Sequence, residues 1–215
     1  MLRLSERLEA LLDREGEPAA ITALRTYFAP LPQGRYSGAY FERLAGGGDR
    51  AETANEFTSD DIVAVSTLAV DIGGDAALEL LVSRRSRLTA LLQDIPTGVV
   101  LADLTADDIG DEWPVRAVYQ ELMSIPRIGE TSATKLLARK RPHLVPILDS
   151  VVTAELGIVK GRYWQPLHAW LVADDRARHR QLERLRGEAG LGPEVSVLRV
   201  FDVLAWMVGK GYVAV

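Results

Sequence analysis

The residues best placed to do chemistry lie between positions 124 and 152, SIPRIGETSATKLLARKRPHLVPILDSVV. Arg127-Ile128-Gly129 is a tight turn between two helix-forming runs, and what it offers is anion binding by the main chain. A turn that feeds a helix N-terminus aims unpaired N–H groups outward, where the helix dipole also favours a negative ligand. Arg127, Ile128, Gly129 and Thr131 are therefore candidates to hold a phosphate, and Lys135, Arg139, Lys140 and Arg141 would add charge close by. Such a grip is indifferent to base identity, which points to the sugar-phosphate backbone of DNA as the partner. Twenty residues after Gly129, Asp149 precedes the apolar pair Val151-Val152, which places its carboxylate at the start of a helix.

Other candidates are fewer. Tyr163 and Trp164 follow Gly161-Arg162 closely behind Asp149 and are candidates to line a base-stacking pocket, although aromatic residues beside leucines also build cores. Gly46-Gly47-Gly48-Asp49 lacks the Lys-Ser/Thr and the preceding strand of a phosphate loop. There is no cysteine, and His143, His168 and His179 sit in unrelated contexts, so no metal site and no cofactor is expected.

The elements that must position these residues read as helices. Val115 to Ser124 ends at Ile125-Pro126, because proline disfavours helical geometry in the residue before it, and a helix restarts over 130–139. Leu4, Leu8, Leu11 and Leu12 mark an amphipathic first helix and 18–27 a second. Pro30, Pro32, Gly34 and Gly38 then break the pattern, and 35–57 reads as a flexible linker. Thr58 followed by Asp60 and Asp61 is a capped start that leads into IVAVSTLAVDI, taken as one buried helix of about eleven residues. Further helices are expected at 75–82, 86–93, 150–156, 163–172, 175–188 and 195–208. No series of alternating strands occurs, so the expected class is all-α, a bundle of nine to ten helices joined by short Gly/Pro turns. It divides into N-terminal helices and linker (1–57), a helical domain carrying the hairpin (58–149), and C-terminal helices that pack back on the N-terminal lobe (150–215).

Charge sharpens the picture. The formal net charge is −5, which argues against a surface coated in basic residues. Between Pro114 and Val145, however, six basic residues face two acidic ones, a local +4 that leaves −9 for the rest. A basic island on an acidic body is what a localised phosphate contact requires. The N-terminus has leucines at helical spacing rather than a signal peptide, and no run approaches the ~18 apolar residues of a membrane span. A cytoplasmic location is expected.

The order hydrophobic-Pro-x-hydrophobic-Gly-x-x-x-Ala, a short basic stretch, then Val-Pro-Ile-Leu-Asp-Ser-Val-Val resembles the helix-hairpin-helix DNA glycosylase superfamily over about thirty residues. LLARKRP and LRVFDVLAWM also resemble stretches of a family of uncharacterised actinobacterial proteins, and the Ala/Arg/Leu/Gly-heavy composition fits a high-GC genome. The first resemblance implies that Asp149 faces a pocket for an extruded base, where it stabilises an oxocarbenium-like sugar or activates water. Two departures are informative. Arg127 stands where the superfamily has glycine, so its side chain either grips a phosphate or obstructs the backbone's approach. Thr131 stands where strand-cutting members carry a lysine nucleophile, so no Schiff-base lyase chemistry is expected. The expected function is a DNA-binding, monofunctional base-excision glycosylase acting through Asp149; the alternative is a non-catalytic DNA-binding or protein-interaction module on the same scaffold.

Overall fold

The computed structural model describes residues 2–158 and 161–213. Among them the chain is all-helical: α1 (Glu6–Leu12), α2 (Glu17–Tyr27), α3 (Ser59–Ser66), α4 (Gly74–Leu78), α5 (Arg85–Gln93), α6 (Pro114–Met123), α7 (Glu130–Lys140), α8 (Ser150–Glu155), α9 (Trp164–Glu188) and α10 (Val197–Gly209). No helix among the described residues is long and apolar enough to cross a membrane.

Local chemistry sets the boundaries. The Ser5 hydroxyl accepts from the Leu8 amide to start α1, and the Ser196 side chain does the same for Arg199 at the start of α10. Proline in the first turn opens α2 and α6, where its missing N–H costs nothing. Thr58 and Asp61 form a reciprocal capping box on α3. That helix stops at Ser66, six residues short of the expected Ile72. The Ser66 and Thr67 hydroxyls turn back on the Val63 and Ala64 carbonyls at 2.7 and 2.6 Å, and Ala69 takes a left-handed φ of 57°. α9 is broken at Ala173–Arg176, where Asp174, Asp175 and Arg176 are left-handed.

α10 is the central strut. Eleven of its thirteen residues are buried, and it packs against α1, α2, α8 and α9. α7 packs against α3 and α6, and α5 against α6. One continuous apolar cluster runs through both groups, from Leu8 and Leu24 through Leu136 and Leu137 to Val203 and Leu204.

Segment 35–57 is not a free linker. It holds two short 3-10 turns, Ser37–Tyr40 and Leu44–Gly46, and its carbonyls are bound by the C-terminal end of α7. Gly48 is required there, since a Cβ would lie 2.5 Å from the Arg139 carbonyl.

Candidate functional site

The hairpin forms as the sequence implies. Ile125 and Ile128 are buried and pull the turn onto the core, and the Ile128 amide bonds the Ile125 carbonyl at 3.1 Å. Pro126, Arg127 and Gly129 are left on the outside. Arg127 has φ 69°, the left-handed conformation that costs an L-residue roughly 1–2 kcal/mol. Gly129 has φ −98°, and a Cβ there would meet nothing within 4 Å. The fold itself therefore does not require glycine at 129. The first bond of α7 runs from the Ala133 amide to the Gly129 carbonyl, and the amides of Gly129, Glu130, Thr131 and Ser132 have no acceptor among the described residues. Glu130, in that first turn, uses Oε1 to accept from the Tyr119 hydroxyl at 3.3 Å and from the Gly161 amide at 3.0 Å. Burial, and then the neighbouring Glu130 carboxylate, push the Tyr119 phenol up to about 12.

The basic island is mostly internal, which corrects the expectation that Lys135, Arg139, Lys140 and Arg141 reach a phosphate. All four are at most 4% exposed. Arg139 donates to the carbonyls of Phe41, Glu42 and Leu44, and its Nε lies 3.3 Å from Asp61 Oδ1. Lys140 Nζ donates to Gly48 and Thr53 carbonyls at 3.0 and 3.1 Å and pairs with the same Asp61. Arg141 reaches the carbonyls of Leu92, Ile95 and Ala54 and the Asn55 side chain. Burial lowers the proton affinity of each, as it does for Lys135. A buried cation is tolerated when its donors are satisfied, and these work as internal fasteners. Of the six basic residues counted between 114 and 145, Arg127 alone is exposed; Arg116 is half-buried over the Trp164 ring.

Asp149 caps α8. Its Oδ1 accepts from the Val151 and Val152 amides at 2.9 and 3.0 Å. It is only partly buried, because it also lines a cavity of about 440 Å³. Thr131 and Lys135, successive on one face of α7, line the same cavity. So do Tyr27, Tyr36 and Trp206, with Arg199 and Asp202 of α10. The Tyr27 and Tyr36 rings stack at 5.1 Å and 12°, with Trp206 edge-on to both. Lys135 Nζ bonds the Leu68 carbonyl at 2.9 Å on the cavity wall.

On and behind this wall the charged side chains of Glu42, Arg199 and Asp202 are buried. Arg199 donates to Glu42, to Asp202, to the Tyr27 hydroxyl and to the Gly38 carbonyl. Burial alone would lower the Arg199 guanidinium, but Tyr27, Glu42 and Asp202 outweigh it and hold the charge. Burial raises Asp202 to about 6 despite Arg199, with the nearby Asp149 carboxylate pushing the same way.

Tyr163 and Trp164 do not reach this cavity, which corrects their expected place in a base pocket. They are 2% and 4% exposed and pack with Trp113 and Tyr119 in a cluster of edge-to-face rings. The aromatic residues that do line it, Tyr27, Tyr36 and Trp206, come from α2, the 35–57 segment and α10. Asp202 carried a signal that was readable in advance. An aspartate three residues after an arginine, inside an otherwise apolar helix, has to be paired or functional. No group of three or more His, Cys, Asp or Glu side chains among the described residues is arranged to hold a metal ion.

No curated protein and no solved structure matches the chain. Residues 20–209, which run from within α2 to the end of α10 and so contain the hairpin, Asp149 and all of the cavity lining but Lys210, match a family model, and the chain thereby belongs to the family of unknown function DUF6308.

Proposed function

We propose that the chain binds DNA at the N-terminus of α7 and admits an extruded nucleoside to the cavity, where Asp149 acts on the N-glycosidic bond. The observation that carries this reading is that Asp149 and Thr131 line one cavity. Thr131, in the first turn of α7, and the carboxylate thus share a wall. Gly129 supports it as well, since its missing side chain leaves room for a ligand and serves no packing need. The step would break the C1′–N bond, with the electron pair leaving on the base. Water would add to C1′ and give its proton to Asp149, which stabilises the developing positive charge on the sugar. No lyase step follows, because Thr131 carries no amine.

A second reading is favoured by Asp149 Oδ1, which is fully engaged in capping α8. In that reading the chain binds DNA or another partner on the same scaffold without cleaving it.

Duplexes carrying alkylated, deaminated or oxidised bases separate the two when scored for abasic sites. Base release that Asp149→Asn abolishes, with binding retained, supports the first reading. Salt-sensitive binding with no product from any lesion supports the second. Absence of binding at low salt overturns the first reading and DNA as the partner in the second.

A further inference from the structure

Two cavities share one wall. Arg35 and Tyr36 line the cavity of Asp149 and also a second, of about 600 Å³, which opens between α2 and the C-terminal end of α10. The second is walled by Ala19, Thr22, Met207 and Tyr212, and among the described residues no acidic side chain lines it, in a protein whose acids outnumber its bases. The partition is aromatic. Tyr36 stacks on Tyr27, lies 6.0 Å from Tyr212 and meets Trp206 edge-on at 5.7 Å. Tyr212 is 56% exposed on the wall of the second cavity.

The cations at this rim are free. Several exposed arginines are tied to carboxylates, Arg43 to Glu194, Arg85 to Glu56 and Arg184 to Glu17, while others such as Arg14 and Arg127 stand unpaired among the described residues away from any second cavity. Arg35 and Lys210 are exposed, line the cavity of Asp149, and have no ion-pair partner among the described residues. An unpaired guanidinium between two aromatic-walled cavities repeats the chemistry of a nucleic-acid strand, in which a phosphate joins two planar bases.

We infer that the second cavity is a nucleoside subsite for the residue adjoining the one held beside Asp149, with the phosphate between them resting on Arg35. This deepens the DNA reading above and rests on it. The ligand is then an unpaired stretch of at least two nucleotides that runs from the α7 N-terminus across Asp149 to Tyr212. Stacking on Tyr212 is indifferent to base identity, so length rather than sequence governs affinity.

Calorimetric titration of the full chain at low salt tests this with thymidine 5′-monophosphate, the 5′-phosphorylated dinucleotide pTpT, and a duplex carrying an abasic-site analogue. The dinucleotide is expected to bind at least tenfold more tightly than the mononucleotide. Tyr212→Ala, at a residue that lines the second cavity alone, should weaken pTpT by roughly 5- to 150-fold, the range of one base–aromatic stack, and leave the mononucleotide within twofold. Tyr212→Phe should retain wild-type affinity. Arg35→Gln should lower the salt slope for pTpT by about 0.7, one single-strand phosphate contact. Equal affinities for mono- and dinucleotide in a wild-type chain that binds the duplex overturn the subsite alone. A wild-type chain that binds neither duplex nor pTpT overturns the DNA reading and the subsite with it.

Discussion

Asp61 Oδ1 lies 3.3 Å from Arg139 Nε, with both side chains 1% exposed, and the other oxygen of the same carboxylate accepts from the Thr58 amide at 2.8 Å and pairs with Lys140. A single acid thus caps α3 and neutralises two buried cations at the end of α7. Its loss strands both, and breaking a buried pair typically costs about 3–5 kcal/mol. Asp61→Ala should lower unfolding free energy by that amount in urea titrations. A loss below about 1 kcal/mol would show that Arg139 and Lys140 are satisfied by carbonyls alone.

Arg127 gives a prediction with two signs. Its left-handed φ is strained for arginine and free for glycine, so Arg127→Gly should raise stability by about 1 kcal/mol. The same change removes the one exposed cation at the hairpin, and the slope of log binding constant against log salt on duplex DNA should fall by about 0.9. Arg127→Ala keeps the strain and should change the slope alone. Unaltered slopes in both variants would mean that the hairpin meets phosphate with its amides only.

Substitutions at Asp149 separate its two duties. Asparagine caps helices about as well as aspartate, so Asp149→Asn should melt within a degree or two of wild type, whereas Asp149→Ala should lose about 1 kcal/mol. Thermal melts of the three proteins check this. A base-release defect in the asparagine variant is then chemical in origin, since its cap is intact.

The raised Asp202 carboxyl predicts a pH dependence of stability. Its folded value of about 6 exceeds the unfolded one near 3.9, so between those values the native state binds more protons than the unfolded. The stabilisation is complete below about pH 4 and is lost as pH rises through 6. Glu42, raised by burial, acts in the same direction. Melting temperature should therefore decline from pH 4 to pH 7, and Asp202→Asn should flatten part of that decline. A wild-type profile that climbs across this window would refute the assignment.

The helices and the hairpin were legible because their signals are local. Pro126 ends α6, Thr58 and Asp61 cap α3, and Asp149 caps α8, each through bonds within four residues. The break in α9 also showed, as the gap between two expected helices. What the sequence concealed was partnership at a distance. Nothing near Arg139, Lys140 and Arg141 announces that their acceptors, the Lys140 carbonyl apart, lie 46 to 98 residues away in chain. A cluster of bases therefore reads as surface when it is interior. For the same reason Tyr163 and Trp164, close to Asp149 in sequence, were expected at the cavity, while Tyr27, Tyr36 and Trp206 arrive there from both ends of the chain. Adjacency in sequence is a poor guide to a site assembled by packing.

The fastening of the 35–57 segment has a consequence for how this protein tolerates change. Arg139 and Lys140 grip it almost entirely by peptide oxygens, at Phe41, Glu42, Leu44, Gly48 and Thr53. Every amino acid supplies such an oxygen. The lock is therefore written on one side only: side chains at 44 and 53 can be exchanged without touching it, while the two bases that close α7 cannot. A stretch of chain with little regular structure is in this way kept in one shape by residues that, apart from the close approach at Gly48, do not read its side chains, and Tyr36, which it carries to the cavity, is held without help from the side chains at 44 and 53.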